Sequence, residues 1–348
     1  MKYLLSLLIL VLFSLNSKPL LSEFNGNKTA VSIDTLFTDK ISIRAIEIDQ
    51  NKVWYAADNN RFGYFDLLTN QRVERKISMD SLKLEFRSIS QTKSDIYILS
   101  VGNPALLYKI NKKDLSYKLV YRENHEKVFY DAIYFIDNKK GIAIGDPTED
   151  TFSIITTVDG GATWNKIPSN NLPKLAVGEA AFAASNTNIC VKGNRIFLVS
   201  GGIKSRVFVS DDFCKTWQVY ETPIIQGQSM TGIFSADFLN EKTGIIVGGN
   251  YETQSDNNAN KAITFDGGQT WKLVGINQGF GYASCVQFVP NTNGKNILSV
   301  GTTGIYSSTN QGENWNKLSD DKDLFTLRFH DSNTAFLAGK NKLVRMKF

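Results

Sequence analysis

Histidine is nearly missing from this 348-residue chain: His125 and His330 are the only two, both in polar, turn-like settings. A multi-histidine metal site or a histidine-based catalytic triad needs more than that. The three cysteines, Cys190, Cys214 and Cys285, form an odd set without metal-ligand or Cys-x-x-Cys spacing. Pairing of Cys190 with Cys214 and three separate thiols are both compatible with the sequence. No Gly-x-Gly-x-x-Gly follows a strand, so redox chemistry on a dinucleotide or a dithiol has no carrier. Neither a cofactor nor a metal site is therefore expected. The acidic stretches Gly145 to Asp150 and Tyr251 to Asn258 do not have EF-hand spacing and read as solvated loops. There is also no basic block. The net charge of +5 is spread over alternating lysines and carboxylates, the pattern of a solvated surface and not of a nucleic-acid footprint.

One apolar run is present, from Tyr3 to Phe13, behind Lys2 and ahead of Asn16, Ser17 and Lys18. It is well short of the about 20 residues needed to span a bilayer and reads as a secretory signal. Residues 1–22 are thus expected to be a signal peptide, cleaved between Ser17 and Ser22, and residues 23–348 a single domain. The expected location is periplasmic or extracellular, with no integral membrane segment after cleavage.

Four octets repeat one pattern, Ser/Thr-x-Asp-x-Gly-x-x-Trp: Thr157 to Trp164, Ser210 to Trp217, Thr264 to Trp271 and Ser308 to Trp315. They recur 44 to 54 residues apart and contain four of the five tryptophans. A fixed period of this size marks a repeat architecture. The aspartate is kept as Asp159, Asp212 and Asp266 and becomes Asn310 in the last copy; the glycine is Gly161, Gly268 and Gly312, with Cys214 in its place in the second. The pattern is identified as the Asp-box, or BNR repeat. Asp or Asn accepts backbone N–H bonds in a tight hairpin turn, glycine supplies the unusual backbone angles, and Trp164, Trp217, Trp271 and Trp315 anchor the next strand. The boxes therefore read as structural braces.

Around each box the chain reads as four short strands bounded by Asn, Asp, Gly or Lys turns. Four-stranded antiparallel units repeated about an axis are propeller blades. Counting weaker copies predicts an all-β, seven-bladed propeller, with blades near 40–78, 84–122, 128–168, 178–221, 231–275, 281–318 and 323–348. The last blade is expected to be closed by an N-terminal strand at 29–37, and six blades is the alternative count.

The order of motifs resembles the photosystem II stability/assembly factor family, part of the Asp-box superfamily that includes the sialidases. The segments carrying it are Ser42 to Glu47, Phe86 to Ser90, Val101 to Lys109, Phe129 to Pro147, Gly178 to Thr187, Ser205 to Asp212 and Val247 to Tyr251. The resemblance implies a propeller that binds other proteins during assembly. The sialidase resemblance would imply a three-arginine clamp, a Tyr/Glu nucleophile pair and an acid/base Asp. No arginine occurs between Arg206 and Arg328, and the region near the start reads Ser42-Ile43-Arg44-Ala45.

Aligning the small residue and isoleucine that open each first strand (Ala45-Ile46, Ser88-Ile89, Ala132-Ile133) places Arg44, Arg87 and Asp131 in one register. Glu179 falls on the corresponding strand of the fourth repeat. First strands are innermost, so these four residues are expected at one mouth of the central channel, where they would bind an acidic or polar segment of a protein partner. The expected function is an exported, non-catalytic binding scaffold, with no catalytic residue assigned. The alternatives are a sialidase-like hydrolase acting on glycans and a structural envelope protein.

Overall fold

The computed structural model describes residues 21–24, 27–78 and 82–348. The whole apolar run from Tyr3 to Phe13, and with it most of the expected signal peptide, lies outside them. No helix among the described residues is long and apolar enough to cross a membrane; the one helical element is a single 3-10 turn at Ser169–Asn171.

Strand formation follows from burial on both faces. Asp95–Ser100 and Gly141–Gly145 are apolar throughout or nearly so, and every residue in them is buried. A strand reads this way when its sheet is covered on both sides, and not as an alternation. The outer strands Gln71–Lys76 and Tyr117–Glu123 carry charges and are largely exposed, which protects the sheet edges against pairing with other chains. Between consecutive sheets lie compact apolar layers. In one, Tyr97 and Leu99 meet Phe135, Ala143 and Trp164. In the next, Ile144 and Ile154 meet Ile196 and Phe208. Each such fully buried side chain contributes roughly 1.5–3 kcal/mol.

Every strand pairing is antiparallel, and apart from the two-stranded hairpin of Leu21–Phe24 with Asn27–Ala30 each hydrogen-bonded sheet is one blade of a six-bladed propeller. This corrects the expected count of seven in favour of six. The reason is the strand Ser32–Asp49, 18 residues without a break. Its first part pairs with the C-terminal strand, Ser32 opposite Lys347 and Thr38 opposite Lys342. Its second part pairs with Lys52–Ala57. The segments expected to form a first and a separate last blade are therefore one six-stranded sheet, folded at a register shift between Thr38 and Ser42. No glycine or proline lies between those residues to separate two strands.

The Asp-boxes sit at the hairpin turns between the last two strands of their sheets. Asp159 Oδ1 accepts the Ala162 and Thr163 N–H groups at 2.9 and 3.0 Å, and its Oδ2 accepts the Thr163 hydroxyl at 2.6 Å. Thr157 Oγ1 donates to Asp159 at 2.8 Å and accepts Gly161 N–H at 3.0 Å. Asp212 and Asp266 repeat this through Thr216 and Thr270. The threonine hydroxyl and amide donors pull Asp159 and Asp212 down to about 2. Gly161, Gly268 and Gly312 have φ of 69°, 85° and 87°; Cys214 occupies the same position at 66°, a conformation that disfavours a side chain. All three cysteines are buried and free.

Candidate functional site

Propeller inner strands would normally alternate their side chains between the two neighbouring sheets. In five of them a β-bulge inserts one unpaired residue: Arg44, Arg87, Asp131, Phe234 and Phe325. Bulges re-aim a side chain, and here they serve one end of the molecule. The close backbone approach at the bulge is visible at Gly248, where an added Cβ would collide with the Gly232 carbonyl.

Arg44, Arg87 and Phe234 line a cup of about 440 Å³ together with Phe182, Tyr251 and Tyr282. The Arg44 guanidinium lies 4.3 Å from the centre of the Phe325 ring, and one of its terminal nitrogens donates to the Ala184 carbonyl at 3.4 Å. Its Nε is buried without a partner, and Arg44 makes no ion pair among the described residues. Burial and then the neighbouring Arg87 pull Arg44 below the ordinary guanidinium value, yet an arginine keeps its charge. Arg87 is paired with Glu85 at 2.8 Å. The opposite wall is aromatic: Phe182 stacks on Phe234 at 3.9 Å, and Tyr282 meets both Phe234 and Tyr251 edge-on at 4.7 and 5.1 Å.

Behind the cup lies Asp131, fully buried. Its oxygens are near the Ala183 and Asp146 N–H groups without making a well-formed hydrogen bond to either. Burial, then the adjacent Asp146 carboxyl, raise Asp131 well above the usual carboxylate range, against a weaker pull from Arg87. Burial raises Asp146 to about 7, although its Oδ1 accepts Ala181 N–H at 2.9 Å. Below Asp146's value of about 7 these two carboxyls add little negative charge beside Arg44 and Arg87.

Both folded pKa values lie above the unfolded value near about 4, so the stability they contribute is complete below that value. It is lost as pH rises through Asp146's value of about 7. Asp131→Asn, whose amide can donate to Asp146, should raise stability above neutrality by roughly 1–3 kcal/mol and flatten the slope. Denaturant midpoints measured across that window check this, and an unchanged slope would count against the carboxyl pair.

Glu179 is not part of the mouth, which corrects the register read from the sequence. The innermost strand of its repeat is Ile189–Lys192, and Glu179–Ala180 instead pairs with Gly201–Gly202 on the edge of the neighbouring sheet. The Glu179 side chain is fully buried, 2.5 Å from Arg206, and also accepts from Ser200 and from Ala176 N–H. It is a structural ion pair. The chain released by this rearrangement, Ala181 to Asn188, fills the axis. Asn186 donates to the Ile89 carbonyl and accepts Ile133 N–H, Ser185 donates to the Ser284 carbonyl, and Thr326 donates to the Ser185 carbonyl.

Sequence reasoning missed Asp146 and the aromatic wall. Aligning Ser235-Ala236 and Thr326-Leu327 with Ser88-Ile89 would have put Phe234 and Phe325 in the register of Arg87. The threonine before the box tryptophan, Thr163, Thr216 and Thr270, was an equally legible signal.

A family model, the BNR/Asp-box repeat, matches residues 262–273. No curated protein matches the chain. Among solved structures, YCF48 bound to D1 peptide aligns with a TM-score of 0.64 at 13% identity, over 91% of this chain and 96% of that one. YCF48 from Cyanidioschyzon merolae aligns with a TM-score of 0.62 at 13% identity, over 92% and 98%. The WD40 repeats of RRP9 align with a TM-score of 0.59 at 10% identity, over 90% and 97%. At these identities the likeness is one of fold. With its Asp-boxes in place at the hairpin corners, the chain is a β-propeller that carries the BNR/Asp-box repeat and shares its fold with YCF48.

Proposed function

We propose that the chain is a non-catalytic binding propeller that takes a segment of a protein partner at the arginine mouth. The observation that carries this reading is the combination of Arg44 and Arg87 with an aromatic wall in one cup of about 440 Å³. A carboxylate would be held by the guanidinium groups, and an apolar side chain beside it would be covered by Phe182, Phe234 and Tyr282. The raised carboxyls behind the cup support this, because they withhold negative charge that would otherwise compete. YCF48, which shares the fold at low identity, binds a D1 peptide, and a peptide ligand is the chemistry proposed here.

Envelope extracts are the natural source of the partner, since residues 1–22 read as a secretory signal. Arg44→Glu combined with Arg87→Glu should lower the melting temperature yet leave the protein folded, and weaken capture at least about a hundredfold, the scale set by losing buried charge pairs. Retained capture by the folded double variant would remove the proposal.

A further inference from the structure

Three residues beyond four of the five bulges, the inner strands carry a second set of side chains: Glu47, Tyr134, Asp237 and Arg328 follow Arg44, Asp131, Phe234 and Phe325. At about 3.3 Å per residue these lie some 10 Å further along the axis, beyond the axial segment Ala181 to Asn188. With Gln287 and Lys192 they line a separate cup of about 240 Å³.

Its chemistry differs from that of the first mouth. Two carboxylates and two cations face one space, yet no direct ion pair joins any of the four among the described residues. The Arg328 guanidinium is held by neutral groups, the carbonyls of Leu327, Ser185 and Asn186 and the Thr326 hydroxyl, at 2.8 to 3.4 Å. Asp237 Oδ2 accepts Phe288 N–H at 2.8 Å, and Glu47 Oε2 accepts the Gln91 amide at 3.2 Å. Arg328, Asp237 and Glu47 are thus fixed in position by neutral neighbours, and their charges, with that of Lys192, are left to be matched from the cup.

Burial raises both Glu47 and Asp237, with Arg328 acting on each in the opposite direction and Lys192 acting on Asp237. Holding four charges around one cavity without direct pairing is costly unless something in the cavity completes them. A ligand with a single charge would satisfy one sign and leave the other. A ligand carrying both signs satisfies both at no net change of charge.

We propose that this second cup binds a small zwitterion of the α-amino-acid class, its carboxylate on Arg328 and Lys192 and its ammonium on Glu47 and Asp237. Tyr134 and Gln287 add neutral polar contacts on the same wall. The site is independent of the arginine mouth, because the axial segment lies between them.

Titration calorimetry on the full chain tests it, with the common α-amino acids as probes and acetate and ethylamine as half-ligands. At least one amino acid should bind saturably in the millimolar range or tighter, with neither half-ligand binding at the same concentration. Asp237→Asn and Arg328→Gln should each weaken binding about tenfold or more, while Lys174→Gln, in an exposed ion pair with Asp150, should not. If Arg328→Gln fails to fold, Lys192→Gln takes its place. The proposal is overturned if no amino acid binds the folded chain, if acetate or ethylamine binds as tightly, or if the folded variants bind unchanged.

Discussion

Arg206→Ala is expected to destabilise the protein by roughly 3–5 kcal/mol, the cost of leaving a buried charge without its partner. Glu179 has a fully buried side chain and Arg206 is 16% exposed, so solvent does little to relieve either. The carboxylate is engaged on both oxygens: Oε1 accepts Ser200 Oγ at 2.6 Å and Arg206 Nε at 2.9 Å, and Oε2 accepts Arg206 Nη2 at 2.5 Å and Ala176 N–H at 2.9 Å. Arg206 also donates to the Lys174 carbonyl at 2.9 Å and lies 5.1 Å from the Phe208 ring centre. Removing it strips two charge-assisted bonds from Glu179 and exposes a stacked ring. Arg206→Lys should recover only part of the loss, because an ammonium cannot reproduce the forked contact. Equilibrium denaturation measures both. A loss below about 1 kcal/mol for the alanine variant, the range of an exposed pair, would show that solvent reaches the site.

Trp315→Ala should cost a similar amount, about 3–5 kcal/mol, and clearly more than Trp217→Ala. Trp315 is 8% exposed, its indole N–H donates to the Gly312 carbonyl at 2.8 Å, and its ring meets Phe280 edge-on at 4.8 Å. It also fills the space above Gly275 and Gly279, so truncation leaves a cavity that neighbouring backbone cannot close. Trp217 occupies the same box position but is only partly buried, and its indole nitrogen has no partner. Side-by-side thermal unfolding of the two variants checks the order. Equal losses would mean that the box position, and not the local packing, sets the energy.

The repeat was legible because its chemistry is local. An Asp-box closes its own turn within eight residues, so the pattern around Asp159 or Asp266 carries its structure with it. The blade count was less legible, because continuity of Ser32–Asp49 depends on a partner more than 290 residues away in sequence, not on any turn residue within it. The same distinction explains the site. Arg44, Arg87 and Asp131 share a register that strand alignment exposes, whereas Glu179 left that register when residues 181–188 entered the axis. Its true partner, Arg206, lies on another strand. Asp146 and Tyr282 come to the cup from different sheets, and nothing in their immediate neighbours marks them.

The pairing of Ser32 with Lys347 also orders events in time. Sheets such as Phe86–Glu123 draw all their strands from one short stretch of chain and have the means to assemble while later residues are still being synthesised. The sheet containing Ser32–Asp49 does not, since half of that strand waits for Lys340–Lys347, far later in the chain. Ring completion is therefore a late step with a large loop to close, and until then the front half of Ser32–Asp49 is an unsheltered template for neighbouring chains.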